Sequence, residues 1–202
     1  MKNISLLLAF TLLISNTFSQ ITFEKGFFID NYGKRTECQI KNRDWENNPK
    51  KFIYRTAGSE DKKVALIDSV QAFGIYEYSY FERYTIPVDT SSERLDYMSF
   101  DKEPEFENRT TFLKALVTGK ASLYKYKHKS TLRFYYSMEG AAPEPLIYKP
   151  YKTSQSRFKW NTAYKQQLFS ILKCEDIGMK ELEVADYREK ELVEIFMKYN
   201  SC

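Results

Sequence analysis

From Thr110 to Tyr151 the chain runs as short extended segments, TTFLKALVTGKASLYKYKHKSTLRFYYSMEGAAPEPLIYKPY. Breaks fall at Thr118-Gly119-Lys120, Lys129-Ser130 and Gly140-Ala141-Ala142-Pro143. The segments are rich in Leu, Val, Phe and Tyr, and the breaks hold small or turn-forming residues, which predicts an antiparallel meander. In the third segment Leu132, Phe134, Tyr136 and Met138 share one face, and Arg133, Tyr135 and Ser137 the other. A period of two sets one of these faces against a core.

Upstream, Phe27–Ile29 and Arg35–Lys41 flank Asp30-Asn31-Tyr32-Gly33, the signature of a hairpin. Lys51–Arg55 and Val64–Ile67 read as two further strands, and Asp68-Ser69 is placed to cap one helical turn at Val70–Ala72. Phe73–Ile86 reads as a single run with Tyr76, Tyr78, Tyr80 and Tyr84 on one face. Pro87–Arg109 is polar and reads as a long connection with a short strand near Tyr97–Phe100.

Beyond the polar Lys152–Arg157 the period becomes helical. Tyr164, Leu168, Ile171 and Leu172 form one stripe, with Asn161 or Thr162 as its cap. Leu192, Ile195, Phe196 and Tyr199 form another, in a helix starting near Tyr187 with Asp186 as cap, or running unbroken from Lys180. The expected fold is α+β. An antiparallel β-rich body, as a meander, open sheet or partial barrel, is followed by two or three C-terminal helices over about residues 158–200, in one domain spanning 20–202.

Residues 1–19, MKNISLLLAFTLLISNTFS, change where this fold is expected to work. Lys2, the apolar Ile4–Ile14 run and small Thr17 and Ser19 make a signal peptide cut before Gln20. The apolar run is too short to span a bilayer, which takes ~20 residues. The expectation is a periplasmic or secreted protein that does not span the membrane.

In an oxidising compartment the three cysteines allow three single bridges. Cys174–Cys202 is favoured because both residues fall at helix ends, leaving Cys38 as a buried thiol in an alternating strand.

Composition agrees with a folded β-rich chain: 43% hydrophobic and 16% aromatic, with sixteen Tyr and fifteen Phe. The net charge of +4 is mild, and nucleic acid is not an expected partner. Seven scattered glycines form no phosphate-binding loop, so no nucleotide is expected. The single His128 sits between two lysines, and no Cys or His cluster has metal spacing, so neither a metal nor another cofactor is expected. No nucleophile motif is present. Glu103, Glu105 and Glu107 alternate in the long connection, which keeps a hydrolase with paired carboxylates in view.

Two stretches offer contact chemistry. The tyrosine row Tyr76, Tyr78, Tyr80 and Tyr84 would make a platform for sugar rings or a partner protein, if the long connection or the helices do not cover it. In Tyr124-Lys125-Tyr126-Lys127-His128-Lys129, Tyr124 and Tyr126 share one face and the lysines the other. The lysines fit either a basic stripe for an acidic ligand or a strand edge protected against aggregation.

The stretches GFFIDNYGKRTECQIKNRDWENNPKKFIYR, TTFLKALVTGKASLYKY, PLIYKPY and QQLFSILKCED, with the ending FMKYNSC, resemble a family of secreted Bacteroidota-type envelope proteins of uncharacterised activity. In that family such a unit stands alone or precedes an outer-membrane β-barrel. The resemblance implies an envelope location and lends no catalytic residue. Sequence alone therefore points to a non-enzymatic envelope module binding a protein or glycan. The alternatives are an accessory protein of a barrel system and a carboxylate-dependent hydrolase.

Overall fold

The computed structural model describes residues 22–202. The leader and its cut before Gln20 lie outside the described residues. Ten strands form one antiparallel sheet: β1 Phe23–Asp30, β2 Arg35–Lys41, β3 Lys51–Thr56, β4 Lys63–Leu66, β5 Val70–Ile75, β6 Ser79–Asp89, β7 Phe106–Val117, β8 Ala121–His128, β9 Thr131–Met138 and β10 Glu144–Pro145. Their order across the sheet is β10-β9-β8-β7-β6-β5-β1-β2-β3-β4. A separate hairpin follows, β11 Lys149–Ser154 with β12 Arg157–Asn161, and then α1 Tyr164–Ile171, α2 Met179–Val184 and α3 Glu189–Ser201. The α+β expectation holds, and the meander is β7 to β10.

The sheet is curled into a half-barrel. Phe52 on β3 stacks on Phe73 on β5 at 4.2 Å between ring centroids, although β1 and β2 lie between them. A flat sheet would hold those strands ~14 Å apart at ~4.8 Å per step. Phe28, Phe73, Phe81, Phe112 and Ile40 fill the concavity, with Trp45 edge-on to Phe73 and Phe81. Further along, the sheet bends towards its opposite face. There Tyr135 on β9 donates to the Pro87 carbonyl on β6 at 3.0 Å, and Ile86, Val88, Leu113, Tyr124 and Tyr126 pack around it. The three helices cover β8 and β9 from the other side, burying Phe134, Leu168, Leu192, Ile195 and Phe196. Both faces of β9 are therefore buried along most of its length.

Local expectations change at several places. The helical segment expected from about residue 158 starts at Tyr164, because Lys149–Ser154 and Arg157–Asn161 pair as a hairpin. The expected Pro87–Arg109 connection shortens to residues 90–105, because β6 and β7 pair along both its ends. Phe73–Ile86 is a hairpin, because Tyr76–Tyr78 turn the chain, with Tyr78 N–H donating to the Ile75 carbonyl and Glu77 at φ 59°. The turn after β4 is a short 3-10 segment at Ile67–Ser69, and β5 starts at Val70 where a helical turn was expected. Leu95–Tyr97 is another 3-10 turn, and Ser99 beyond it accepts from Lys152 N–H of β11. The last helix begins at Glu189, since Asp186 does not cap it; instead Glu191 reaches back to the Asp186 N–H.

Cys174 and Cys202 are bonded, with Cα atoms 6.3 Å apart, tying the end of α3 to the loop after α1. Cys38 is a buried free thiol on the concave face.

Candidate functional site

On the face opposite the Phe73 core, convex from β2 to β6, one row of residues crosses seven strands in register: Glu37, Phe27, Gly74, Tyr80, Ala115, Tyr124 and Tyr135. The small Gly74 makes room for its neighbours. A Cβ there would meet Tyr80 Cδ2 at 3.3 Å, Phe27 Cε1 at 3.4 Å and the Ser79 carbonyl at 2.9 Å. Phe27 and Tyr80 thus approach to 6.0 Å between ring centroids, and Tyr76 packs on Phe27 at 5.6 Å.

Arg35 completes this shelf. Its guanidinium lies over the Phe27 ring at 3.5 Å, donates through Nε to Glu37 at 2.9 Å and through Nη2 to the Tyr76 hydroxyl at 2.8 Å. Tyr76 in turn donates to Glu37 at 2.6 Å. The closed triangle of Arg35, Glu37 and Tyr76 holds three side chains in one geometry before any ligand arrives. Glu37 first and Tyr76 second raise the Arg35 guanidinium above its ordinary value, while Tyr76 and then Arg35 hold the Glu37 carboxyl below its own. Nη1 of Arg35 has no hydrogen-bond partner among the described residues. An open depression of about 460 Å³ lies over Phe27, Arg35, Tyr76 and Tyr80. A second, of about 640 Å³, adjoins it across Tyr76 and is lined by Lys25, Glu37, Gln39 and Glu60.

The six tyrosines singled out from sequence divide. Tyr76 is 45% exposed and stands on the shelf with the partly buried Tyr80. Tyr78 is 46% exposed but leaves the row, because the turn directs its hydroxyl to Asp44 at 2.6 Å. Tyr84 is partly buried and meets Tyr124 edge-on at 5.6 Å. Tyr124 and Tyr126 are core residues, 4% and 5% exposed. Burial, then Glu82, raises the Tyr80 phenol, and burial foremost raises those of Tyr84 and Tyr124. Periodicity could not find Arg35, Glu37 or Phe27 as partners of Tyr76, because the strand register that aligns them is not written in either segment alone.

The lysine stripe is not an edge, since β8 lies between β7 and β9. Lys125 pairs with Glu189 of α3 at 2.7 Å and Lys127 with Glu46 at 2.6 Å. A polar cleft of about 370 Å³ opens where β7 and β8 part, lined by Arg109, Tyr126, Lys127 and His128 among others. Of the alternating glutamates, Glu107 is paired with Arg109 at 2.6 Å. Asp89 and Glu93 come together, but both bind the buried Arg133, at 3.0 and 2.7 Å. Among the described residues one trio has metal-like spacing, Cys174, Asp176 and Cys202, and its two sulfurs are bonded to each other.

Searches against protein-family models, curated proteins and solved structures each found no match to this chain.

Proposed function

We propose that this protein is a non-catalytic binding module of the bacterial cell envelope, periplasmic or secreted, that holds a glycan on the convex shelf. The observation that carries this reading is the Arg35–Glu37–Tyr76 triangle stacked on Phe27, with the Tyr76 ring open beside it. An exposed ring offers its face to the C–H side of a sugar, and planar donors and acceptors at its rim bond the hydroxyls. Because these side chains are already fixed, ligand binding orders little that was mobile. The paired depressions on either side of Tyr76 give room for more than one sugar ring. An envelope location is supported by the leader and by the family resemblance.

Glycan-array binding by the mature chain, beside Tyr76→Ala and Arg35→Ala, tests the site. Each substitution is expected to weaken retention about tenfold or more, as loss of a charged hydrogen bond does. Equal retention by the variants removes the shelf as the site. Capture of a protein from envelope extract that Tyr76→Ala abolishes, with no glycan retained, would make the ligand a protein. An N-terminus at Gln20 on the exported protein checks the location.

A further inference from the structure

The β11–β12 hairpin stands apart from the main sheet and has no part in the shelf. Its base is fastened to the long connection. The buried Lys149 ammonium donates to the carbonyls of Asp101 and Glu103, and Asn161 Nδ2 donates to that of Lys102 at 3.1 Å. Past this base every residue from Thr153 to Trp160 is exposed.

The exposed residues are unusual in kind. Phe158 is 47% exposed and Trp160 40%, with ring centroids 6.2 Å apart. Register places Pro150 opposite Trp160 and Lys152 opposite Phe158, so all four share a face. The Lys152 ammonium also lies 5.8 Å from the ring of Phe100, itself 57% exposed, which extends the patch onto the neighbouring connection. Trp160 is braced from behind by Tyr148, stacked at 4.4 Å. Phenylalanine rings have no polar tip, so their exposure has no compensation in water.

Charge collects on the same segment. The thirty residues Pro145–Cys174 contain six Lys or Arg and no Asp or Glu, so +6 here against +4 for the whole chain leaves −2 for the rest, and of the six only Lys149 is buried. Lys152 shares the face of the rings, Arg157 and Lys159 alternate with them along β12 and leave from its opposite face, and Asp101 is the acidic neighbour of Phe100 in the chain. Aromatic rings bordered by cations suit the boundary of a bilayer, where rings enter the headgroup layer and cations stay at the phosphates. An acidic polymer without apolar groups would satisfy the cations and leave the rings wet. We propose that this hairpin docks the protein tip-first on an anionic lipid surface, with Phe100, Phe158 and Trp160 inserted. Lys152 then lies at the phosphates on their face, and the long side chains of Arg157 and Lys159 reach phosphates from the other face of the exposed tip. Among the described residues no helix is long and apolar enough to cross a membrane, so the docking proposed is peripheral.

The chain has two tryptophans, Trp45 packed in the concave core and Trp160 on the hairpin, which gives the test its readout. The mature protein is mixed with phosphatidylglycerol-rich vesicles or with pure phosphatidylcholine vesicles. Co-sedimentation and a blue shift of emission are expected with the first and not the second. Trp160→Phe should keep co-sedimentation and lose the shift. Phe158→Ser, a change on an exposed ring, and the pair Arg157→Ser with Lys159→Ser should each weaken vesicle binding about tenfold. Circular dichroism matching wild type confirms that the variants fold. The proposal is overturned by absence of co-sedimentation, by equal binding to both vesicle types, by a shift that survives Trp160→Phe, or by retention of the protein on heparin with none on vesicles.

Discussion

Asn48 sits where β7 and β8 part, and its side chain bonds to both strands. Nδ2 donates to the carbonyls of Phe112 on β7 and Lys125 on β8, and Oδ1 accepts from Lys127 N–H. Its own N–H donates to the Lys127 carbonyl at 2.9 Å. A loop residue thus takes the place of a missing strand residue. Asn48→Ala leaves these backbone groups without partners and is expected to cost about 2–3 kcal/mol in urea unfolding. Asn48→Asp keeps the acceptor and turns the donor into a charge facing two carbonyl oxygens, so it should cost at least as much. In sequence Asn47-Asn48-Pro49 reads only as a break between strands, because nothing local shows that the break is inserted 64 to 82 residues away.

Cys38 is the residue whose state was legible, since its neighbours alternate around it. Burial, with Glu37 adding to it, pushes its thiol up from 9.0 to about 12. Burial and then Glu144 push the Tyr136 phenol up from 10.0 to about 12. Both groups are neutral when protonated and keep their protons longer in the folded state. Their stabilisation is whole below pH 9 and is lost as pH rises towards 12. The urea midpoint should be lower at pH 10.5 than at pH 8, and Cys38 should react with a thiol reagent at pH 8 only after unfolding.

Among the elements, those with a strong period were legible and those set by a turn were not. The strands of the meander and the stripes of α1 and α3 follow directly from the spacing of Leu, Phe and Tyr. The hairpin between β5 and β6 was hidden because Tyr76-Glu77-Tyr78 holds no Gly, Asn, Asp or Pro, while Glu77 takes the left-handed region at φ 59°. That conformation costs a non-glycine residue roughly 1–2 kcal/mol, so Glu77→Gly should raise stability by up to about 1 kcal/mol. The β11–β12 hairpin was missed since Lys152–Arg157 is polar and its aromatic pair lies beyond the turn. The Cys174–Cys202 pairing was legible from the helix ends it joins. It closes a loop with a sequence separation of 28. Cys174→Ser with Cys202→Ser is expected to lower stability by about 3–4 kcal/mol, and reductant should lower the wild type's midpoint by a matching amount.

At the scale of the molecule, sequence gives a β-rich body followed by helices and leaves open whether the sheet curls. Whether a row of rings ends in core or in solvent depends on which way the sheet bends, and the sheet bends both ways. The same register row is exposed at Glu37, partly exposed at Phe27 and Tyr80, and buried at Tyr124 and Tyr135, so one alternating pattern produces both the shelf and a core. β6 and β7 belong to both curvatures, and adjacent residues of β7 show it. Phe112 and Leu113 are each 0% exposed, yet Phe112 packs in the concave core and Leu113 in the core on the opposite face. Because two long strands are shared, neither core can open while the other keeps its strands paired. Phe112→Ala is expected to cost about 3–5 kcal/mol and Leu113→Ala about 2–5 kcal/mol. In both variants, made in the Trp160→Phe background so that Trp45 alone emits, Trp45 fluorescence, which reports the concave core, and far-ultraviolet circular dichroism should share one midpoint. If Leu113→Ala lowered the circular dichroism midpoint and left that of Trp45 in place, the two cores would be separate folding units and the shelf would rest on only one of them.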